Sequence, residues 1–451
     1  MLSSSTHHVP IVVALDIGTT KVCAIAGFRD DYGKIEIVGY GTVPSEGVSK
    51  GVVSNIDKTV KAIKESVEIA ERNAMVKFND VQVGVAGQHI KSLHHHGLLV
   101  RQDSTSEIQE ADVDKLIKDM HKLVLPPGDK ILHVIPQEFI VDNENNIMDP
   151  VGMSGIRLEA NFHIITGQVN ASKNIYRCVE KAGLKVANMT LEPIASASAV
   201  LSKEEKEAGV ALVDIGGGTT DITIFKDGII RHTAVIPFGG NVVTTDIQEG
   251  CQVMRDQAEK LKVKFGSAVA DEVVDNRVII IPGFRGRDPK EISEKNLSRI
   301  IQARMEEIFE YVQWEIRRSG YEKKLLAGLV LTGGGSLLKD IDFLAQLQTG
   351  MNTRLGEPIE HLAHGYNEAM ASPIYSTGIG LLIYALNELN PGDHTSSVKK
   401  TLTEVEFEIE NEPDVNTVDE SANNESGGKR WFNKIFAYTK EFFEATPDSE
   451  F

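Results

Sequence analysis

The chain has 451 residues, 41% of them hydrophobic and 25% charged, a balance that fits a globular protein of two to four domains with ample material for a core. Its 65 acidic residues outweigh 47 basic ones, and the formal net charge of -18 argues against nucleic acid as the main partner, because such binders carry a basic face. Cys23, Cys178 and Cys251 are far apart and show no Cys-x-x-Cys spacing, which excludes a disulfide frame or a cysteine zinc site and fits a reducing cytoplasm.

Residues 1–10 lack an apolar core and no apolar run reaches membrane-spanning length, so neither a signal peptide nor a transmembrane helix is expected, and any membrane contact is peripheral. The first element, Ile11 to Lys21, is an apolar strand carrying Asp16 that enters a turn of Gly18, Thr19 and Thr20 before Lys21. Strands over Tyr32–Pro44 and a helix over Ile56–Asn73, with Val60, Ile63, Val67 and Ala70 on one face, complete a βββα opening. A strand at Val81–Ile90, a tip with His94, His95 and His96, a helix after Ser106-x-x-Gln109, and strands around Ile131–Val141 and Ile156–Ile165 make a compact β-α-β-β insert. Adjacent histidines on a strand tip point in alternate directions and have no acidic or cysteine partner nearby, so they read as a solvated loop, not a metal site. A helix through Ile175, Val179 and Ala182 and a strand at Val186–Leu191 then lead to Glu192-Pro193-Ile194.

Val210 to Ile224 repeats the opening device in longer form, with Asp214, Gly216, Gly217, Gly218, Thr219, Thr220 and Asp221 between two β-rich runs. Glycine lets backbone N–H groups approach an anion, and the threonines add hydroxyl donors. Aspartates beside a phosphate would repel it unless a cation lay between, so Asp16, Asp214 and Asp221 suit hydrated Mg²⁺ carried by a nucleotide. One such turn alone could equally be a plain glycine hairpin; its recurrence implies a duplicated fold that clamps a nucleotide between its halves. A third turn, Gly333, Gly334, Gly335 and Ser336 after an apolar strand, could hold the adenosine. Beyond a long helix at about Glu294–Arg318, the composition from Asn390 to Gly428 turns to a solvated tether. In the segment that follows, Trp431, Phe432, Ile435, Phe436, Phe442 and Phe443 share a helical stripe, and Lys429, Arg430, Lys434 and Lys440 supply charge towards an anionic lipid surface. A docking helix or a terminal core helix has the same pattern.

The order Asp-Ile-Gly-Thr-Thr, Asp-Ile-Gly-Gly-Gly-Thr-Thr-Asp, Thr-Gly-Gly-Gly-Ser resembles the superfamily of actin, DnaK-type chaperones and sugar kinases, an α/β fold of two ribonuclease-H-like domains around ATP. Neither Gly-x-x-x-x-Gly-Lys-Ser/Thr nor Gly-x-Gly-x-x-Gly opening a βαβ unit is present. Three further stretches, His133–Phe139, Asp149–Gly155 and Arg231–Asn241, resemble signatures of the FtsA family of bacterial cell-division proteins, over about Val9 to Leu389.

That resemblance implies an actin-like fold with subdomain 1A at 9–79 and 166–208, an inserted SHS2-like subdomain 1C at 80–165, 2A at 209–240 and 319–389, 2B at 241–318, a linker at 390–428 and a membrane-targeting helix at 429–445. ATP with Mg²⁺ is the implied cofactor. Gly239 and Gly240 would bring backbone near it, and Glu259 and Lys262, on one helix face, would reach ribose and adenine unless they are simply an exposed ion pair. Glu192 could position water or merely begin the inter-domain helix; with Asp221 it is a candidate catalytic residue of what would be at most a slow ATPase. Gly378 and Gly380 are expected to serve close helix packing. The family further implies a peripheral protein at the inner membrane face of the septum that forms filaments, with the insert in their longitudinal contact, and recruits later division proteins. It would also tether the tubulin-like FtsZ, whose C-terminal peptide would meet the 2B lobe near Arg285, Arg287, Lys290, Lys295, Arg299 and Arg304, with Arg304 the first choice. Two rival classes are a sugar or acid kinase and a chaperone ATPase. The first would need a catalytic aspartate and a sugar pocket in its inserts, the second a β-rich domain after the ATPase, and neither pattern is found.

Overall fold

The computed structural model describes residues 10–101, 106–282 and 288–389. The tether at 390–428, the helix at 429–445, Arg285 and Arg287 lie outside the described residues.

The chain opens with β1 (Val12–Ile17), β2 (Lys21–Arg29), β3 (Ile35–Pro44), the short β4 (Val48–Ser49) and β5 (Val52–Val53), and α1 (Ile56–Ala74). β6 (Asp80–Val85), β7 (Lys91–Val100), α2 (Glu110–Met120), β8 (Asp129–Val141), β9 (Glu144–Ile147) and β10 (Arg157–Gln168) follow. α3 (Val169–Lys181), β11 (Lys185–Leu191), α4 (Glu192–Val200) and α5 (Lys203–Ala208) close the first half. The second half runs β12 (Val210–Ile215), β13 (Thr220–Lys226), β14 (Ile229–Ile236), α6 (Gly240–Cys251), α7 (Arg255–Phe265), β15 (Val278–Ile281), β16 (Lys290–Ser293), α8 (Glu294–Ser319), β17 (Leu329–Thr332), α9 (Ile341–Thr349), β18 (Thr353–Leu355) and α10 (Ser376–Leu389).

α1 forms where apolar residues recur at helical spacing: Ile63, Val67 and Ala70 are buried, and the Asn55 side chain accepts from Lys58 N–H at 3.0 Å to cap the start. α8 begins in the same way, with Ser293 Oγ accepting from Asn296 N–H at 3.2 Å, and ends at Gly320 in the left-handed region. The duplication is visible in the sheets. One sheet has the order β3-β2-β1-β6-β11 and another β14-β13-β12-β17-β18. In both, the first three strands are antiparallel neighbours and the last two are added in parallel. Each half has its own buried cluster, around Leu15, Ile25 and Ile63 in the first and Ile247, Ile301 and Leu331 in the second. The halves meet where α4 crosses α10. A Cβ on Gly380 would lie 1.9 Å from Ala195 O, and one on Gly378 would lie 2.7 Å from Ile25 Cδ1, so both glycines serve packing.

The inserted unit is the separate sheet β7-β10-β8-β9 with α2, cored by Leu116, Phe162 and Ile164. Two sequence expectations change here. The strand at Val81–Ile90 does not open the insert: β6 sits inside the first sheet between β1 and β11, and the separate sheet begins with β7 at Lys91. His94, His95 and His96 are not a loop tip but lie in β7, paired with His163, Phe162 and Asn161 of β10. His96 meets Glu159 Oε2 at 2.7 Å, and the His94 ring lies 5.2 Å from that of His163.

Candidate functional site

The β1–β2 hairpin sets Asp16 opposite Cys23, and the β12–β13 hairpin sets Asp214 opposite Asp221. Each turn closes with a single backbone bond of 2.9 Å, Gly18 N–H to Lys21 O and Gly216 N–H to Thr219 O. The two turns touch each other. A Cβ added to Gly217 would stand 2.2 Å from Thr20 Cγ2, and one on Gly218 2.8 Å from Thr19 Oγ1. Glycine is therefore required here by hairpin-to-hairpin contact, independently of any ligand.

Around the turns lies a cleft of about 1010 Å³, large enough for a cofactor-sized ligand. Its lining includes Asp16, Gly18, Thr19, Thr20, Lys21, Glu192, Asp214, Gly216, Gly217, Gly218, Thr219, Asp221, Gly240, Glu259, Lys262, Gly333, Gly334 and Gly335. Both phosphate turns, the third glycine turn and the α7 pair thus converge, although they are spread over more than two thirds of the chain.

The electrostatics of the cleft are dominated by carboxylates. Lys21 pairs with Asp16 and lies 5.8 Å from the Tyr375 ring centroid. Burial opposes the Lys21 charge, but Asp16, Cys23 and Glu192 together outweigh it and the pKa is raised. Asp214 Oδ2 accepts from Ser196 Oγ at 2.7 Å and Thr377 Oγ1 at 3.4 Å. Burial nonetheless pushes the Asp214 carboxyl up, against the Ser196 bond. Asp221 Oδ2 accepts from Thr219 Oγ1 at 3.1 Å, while its Oδ1 is buried without a partner. Burial, then the charge of Asp214, raises Asp221 to about 7. Glu192 is pushed well above the usual carboxylate range by burial and then by Asp16, Asp221 and Asp214.

Three buried acids with raised pKa values, Glu192, Asp214 and Asp221, stand beside the Lys21–Asp16 pair, so this part of the cleft is short of positive charge. The donor set fits a divalent cation accompanied by an anion. Among the described residues, no three His, Cys, Asp or Glu side chains converge as a direct metal-ligand set. Mg²⁺, which keeps several waters, suits such a site better than a bare ion.

The remaining predicted residues are placed as follows. Lys262 Nζ meets Glu259 Oε2 at 2.9 Å and also donates to Gly240 O at 2.9 Å and Thr244 Oγ1 at 2.8 Å, so the pair is a built network at the cleft wall. Thr220, expected to take phosphate, is fully buried and its hydroxyl donates to Phe238 O at 2.9 Å. Successive residues of a strand face opposite sides, so only Thr219 can face the cleft. Gly239 does not line the cleft either: a Cβ there would lie 2.5 Å from Gly216 O, so it supports the turn from behind. Ser336 is buried and donates to Gly333 O at 2.8 Å. Gly333, at φ +82, has room for no Cβ because Asp214 Oδ1 would be 2.2 Å away.

Arg304 is not a free cation. Its Nε and Nη2 meet Asp246 Oδ2 and Oδ1 at 2.5 and 3.1 Å, and its Nη1 meets Glu307. Arg299 is exposed, and among the described residues it meets Asn296 Oδ1 at 3.4 Å. Sequence reading missed Ser196 and Thr377, which hold Asp214, and Asn241, whose N–H donates to Gly217 O at 2.8 Å. They sit on three different helices, and no local pattern marks them.

Residues 211–380 match the protein-family model of Cell division protein FtsA, and residues 87–166 match that of the SHS2 domain inserted in FtsA. A Cell division protein FtsA from Pseudomonas aeruginosa is 43% identical over 389 residues, covering 86% of this chain and 92% of the relative. The chain belongs to the FtsA family. The Escherichia coli relative of the same name is 35% identical, covering 87% and 94%, and that of Bacillus subtilis 36%, covering 83% of each. Among solved structures, the PilM-PilN type IV pilus biogenesis complex aligns with TM-score 0.61 at 14% identity, over 83% of this chain and 98% of that one. MreB5 of Spiroplasma citri bound to ADP aligns with TM-score 0.51 at 15% identity, over 85% and 99%. The fold is actin-like. Among the described helices none is long and apolar enough to cross a membrane.

Proposed function

We propose that the cleft binds Mg-ATP and that the chain is a filament-forming, membrane-peripheral division protein. The observation that carries the nucleotide reading is the meeting of two threonine-bearing hairpin turns over Asp16, Asp214 and Asp221, with Lys21 as the paired cation. Backbone N–H groups of both turns, with Thr19, Thr20, Lys21 and Thr219, would take the phosphates, and the three aspartates would hold waters of Mg²⁺. Bound Mg²⁺ would supply the positive charge that offsets phosphate and carboxylates together. Glu259, Lys262 and Gly333 to Gly335 would face the nucleoside. Thr220, Gly239 and Ser336 take supporting roles. Glu192 borders the same acids, and burial together with their charge raises its pKa, a push that a bound cation would oppose.

Family membership supports the wider reading: a protein at the inner membrane face of the septum, anchored by residues 429–445, that assembles into filaments, tethers the FtsZ C-terminal peptide on the 2B lobe and recruits later division proteins. The insert would contribute a filament contact. The test of the nucleotide reading is a titration of ATP with Mg²⁺ and with EDTA. Micromolar binding that weakens sharply in EDTA is expected; equal binding in both, or none, refutes it. For the insert, excision should start after Val85 so that β6 remains in its sheet. Such a protein should bind ATP and fail to form filaments on lipid, and normal filaments would refute the assignment.

A further inference from the structure

Of two family-like stretches, His133–Phe139 has no part in the cleft and Arg231–Asn241 reaches it only at its end, through Gly240 and Asn241, yet the fold brings their other ends together. In β8, Glu138 pairs with Asn161 and Pro136 with Phe162, so Gln137 is an extra residue, a β-bulge. In β14, His232 pairs with Ile224 and Ile230 with Phe225, so Arg231 is a bulge as well. Bulges redirect a side chain out of the alternation of its strand. These two point at one another: Gln137 Nε2 donates to Ile230 O at 2.7 Å, and Arg231 Nη1 donates to Gln137 O at 3.0 Å. Ser92 Oγ adds a bond to Thr233 O at 2.9 Å, and His163 Nε2 meets Thr233 Oγ1 at 3.1 Å. Gln137, His163, Arg231 and Thr233 are all buried.

β14 is therefore shared. One side holds the inserted unit through these bonds, and the other pairs with β13, setting Val235 against Asp221. Beyond Ile236 the chain turns through Phe238, whose carbonyl accepts from Thr220, into Gly240 and Asn241, whose N–H groups donate to Gly216 O and Gly217 O at 2.9 and 2.8 Å. A ligand that fixes the Gly216–Gly217 turn must also fix the end of β14. The carbonyls of Ile230 and Thr233 are then held where Gln137 and Ser92 can reach them.

We propose that the facing bulges form a latch by which cleft occupancy and the seating of the inserted unit bias each other, with Gln137 and Arg231 as positioning residues. This inference rests on the nucleotide reading of the cleft. Coupling of this kind is reciprocal: what nucleotide does to the insert, the insert must do to nucleotide affinity.

The test uses the full chain and Mg-AMPPNP. In the wild type, nucleotide should slow amide hydrogen exchange in β7 and β8, which do not touch the cleft. The variant Ser92→Ala with Gln137→Leu removes the two side-chain donors that reach from the insert to β14 carbonyls. It should bind Mg-AMPPNP about fivefold or more weakly, the usual lower end of such coupling, and should lose the nucleotide effect on exchange in β7 and β8. Nucleotide binding with unchanged exchange in those strands and equal affinity for the variant overturns the latch and leaves the cleft reading intact. A wild type that binds no Mg-AMPPNP overturns both. If the variant misfolds, the wild-type exchange measurement decides alone.

Discussion

Asp221→Asn is the substitution whose consequence can be worked furthest. Asp221 is 8% exposed, faces Asp214 across the β12–β13 register and has one buried oxygen without a partner. Burial, then Asp214, raises its pKa from 3.8 to about 7. The folded, ligand-free protein therefore keeps a proton that the unfolded chain releases near pH 4, so stability from this group is present below about pH 4 and lost as pH rises through about 7. At 1.36 kcal/mol per pKa unit, the loss at pH 8 is at most about 4 kcal/mol. Asparagine removes the charge and still offers Thr219 Oγ1 an acceptor. Urea unfolding in EDTA should find the variant more stable than the wild type at pH 8, with the gap closing as pH falls towards 4. Both proteins keep some slope, because Glu192 and Asp214 are also pushed up. With Mg-ATP the order should reverse, since the variant lacks a carboxylate that suits the cation. A gap independent of pH between 5 and 8.5 would refute the electrostatic account of the cleft.

Gly217→Ala should weaken Mg-ATP binding by forcing the two turns apart, and adding Thr20→Ser, which removes the Cγ2 atom in the way, should recover much of it; no recovery would mean that the new methyl blocks ligand and not Thr20. Arg299→Glu should weaken binding of an acidic FtsZ tail peptide and flatten its salt dependence more than Arg304→Glu does, because Arg304 is already engaged by Asp246 and Glu307. A peptide titration at two salt concentrations checks this, and the opposite order would return Arg304 to first place. Truncation of Lys429–Phe451 should abolish flotation with anionic vesicles and leave Mg-ATP affinity unchanged; flotation that survives would move the membrane contact elsewhere.

The helices were legible because their signal is local. Ile63, Val67 and Ala70 repeat at helical spacing and all face the first core, so α1 ends within a residue or two of its expected bounds. Strand partners are a different kind of fact. Asp80–Val85 reads as an apolar strand whichever sheet it joins, and only its pairing with β1 and β11 assigns it to the first sheet and not to the insert. The three histidines misled for a related reason. A polar run looks like a loop unless a facing strand is known, and β10 supplies that strand, pairing His94 with His163 and His96 with Asn161, far along the sequence.

The cleft shows where motif reading stops. Glycines and aspartates of the turns act on neighbours within a few ångströms, so their spacing carries the message. Adjacent threonines carry it only in part: strand geometry sends Thr219 and Thr220 to opposite sides, and one becomes a prop for Phe238 O. Within its own helix Arg304 has only Glu307 one turn on as an ion partner, and Asp246 of α6 adds the two-bond contact that occupies the rest of the guanidinium. Gln137 and Arg231 are the extreme case, because a bulge is defined by the partner strand and leaves no trace in the alternation of its own. A stretch that is specific to a family yet has no local chemistry to explain it is thus best sought at a junction between sheets, and both such stretches lie at one here.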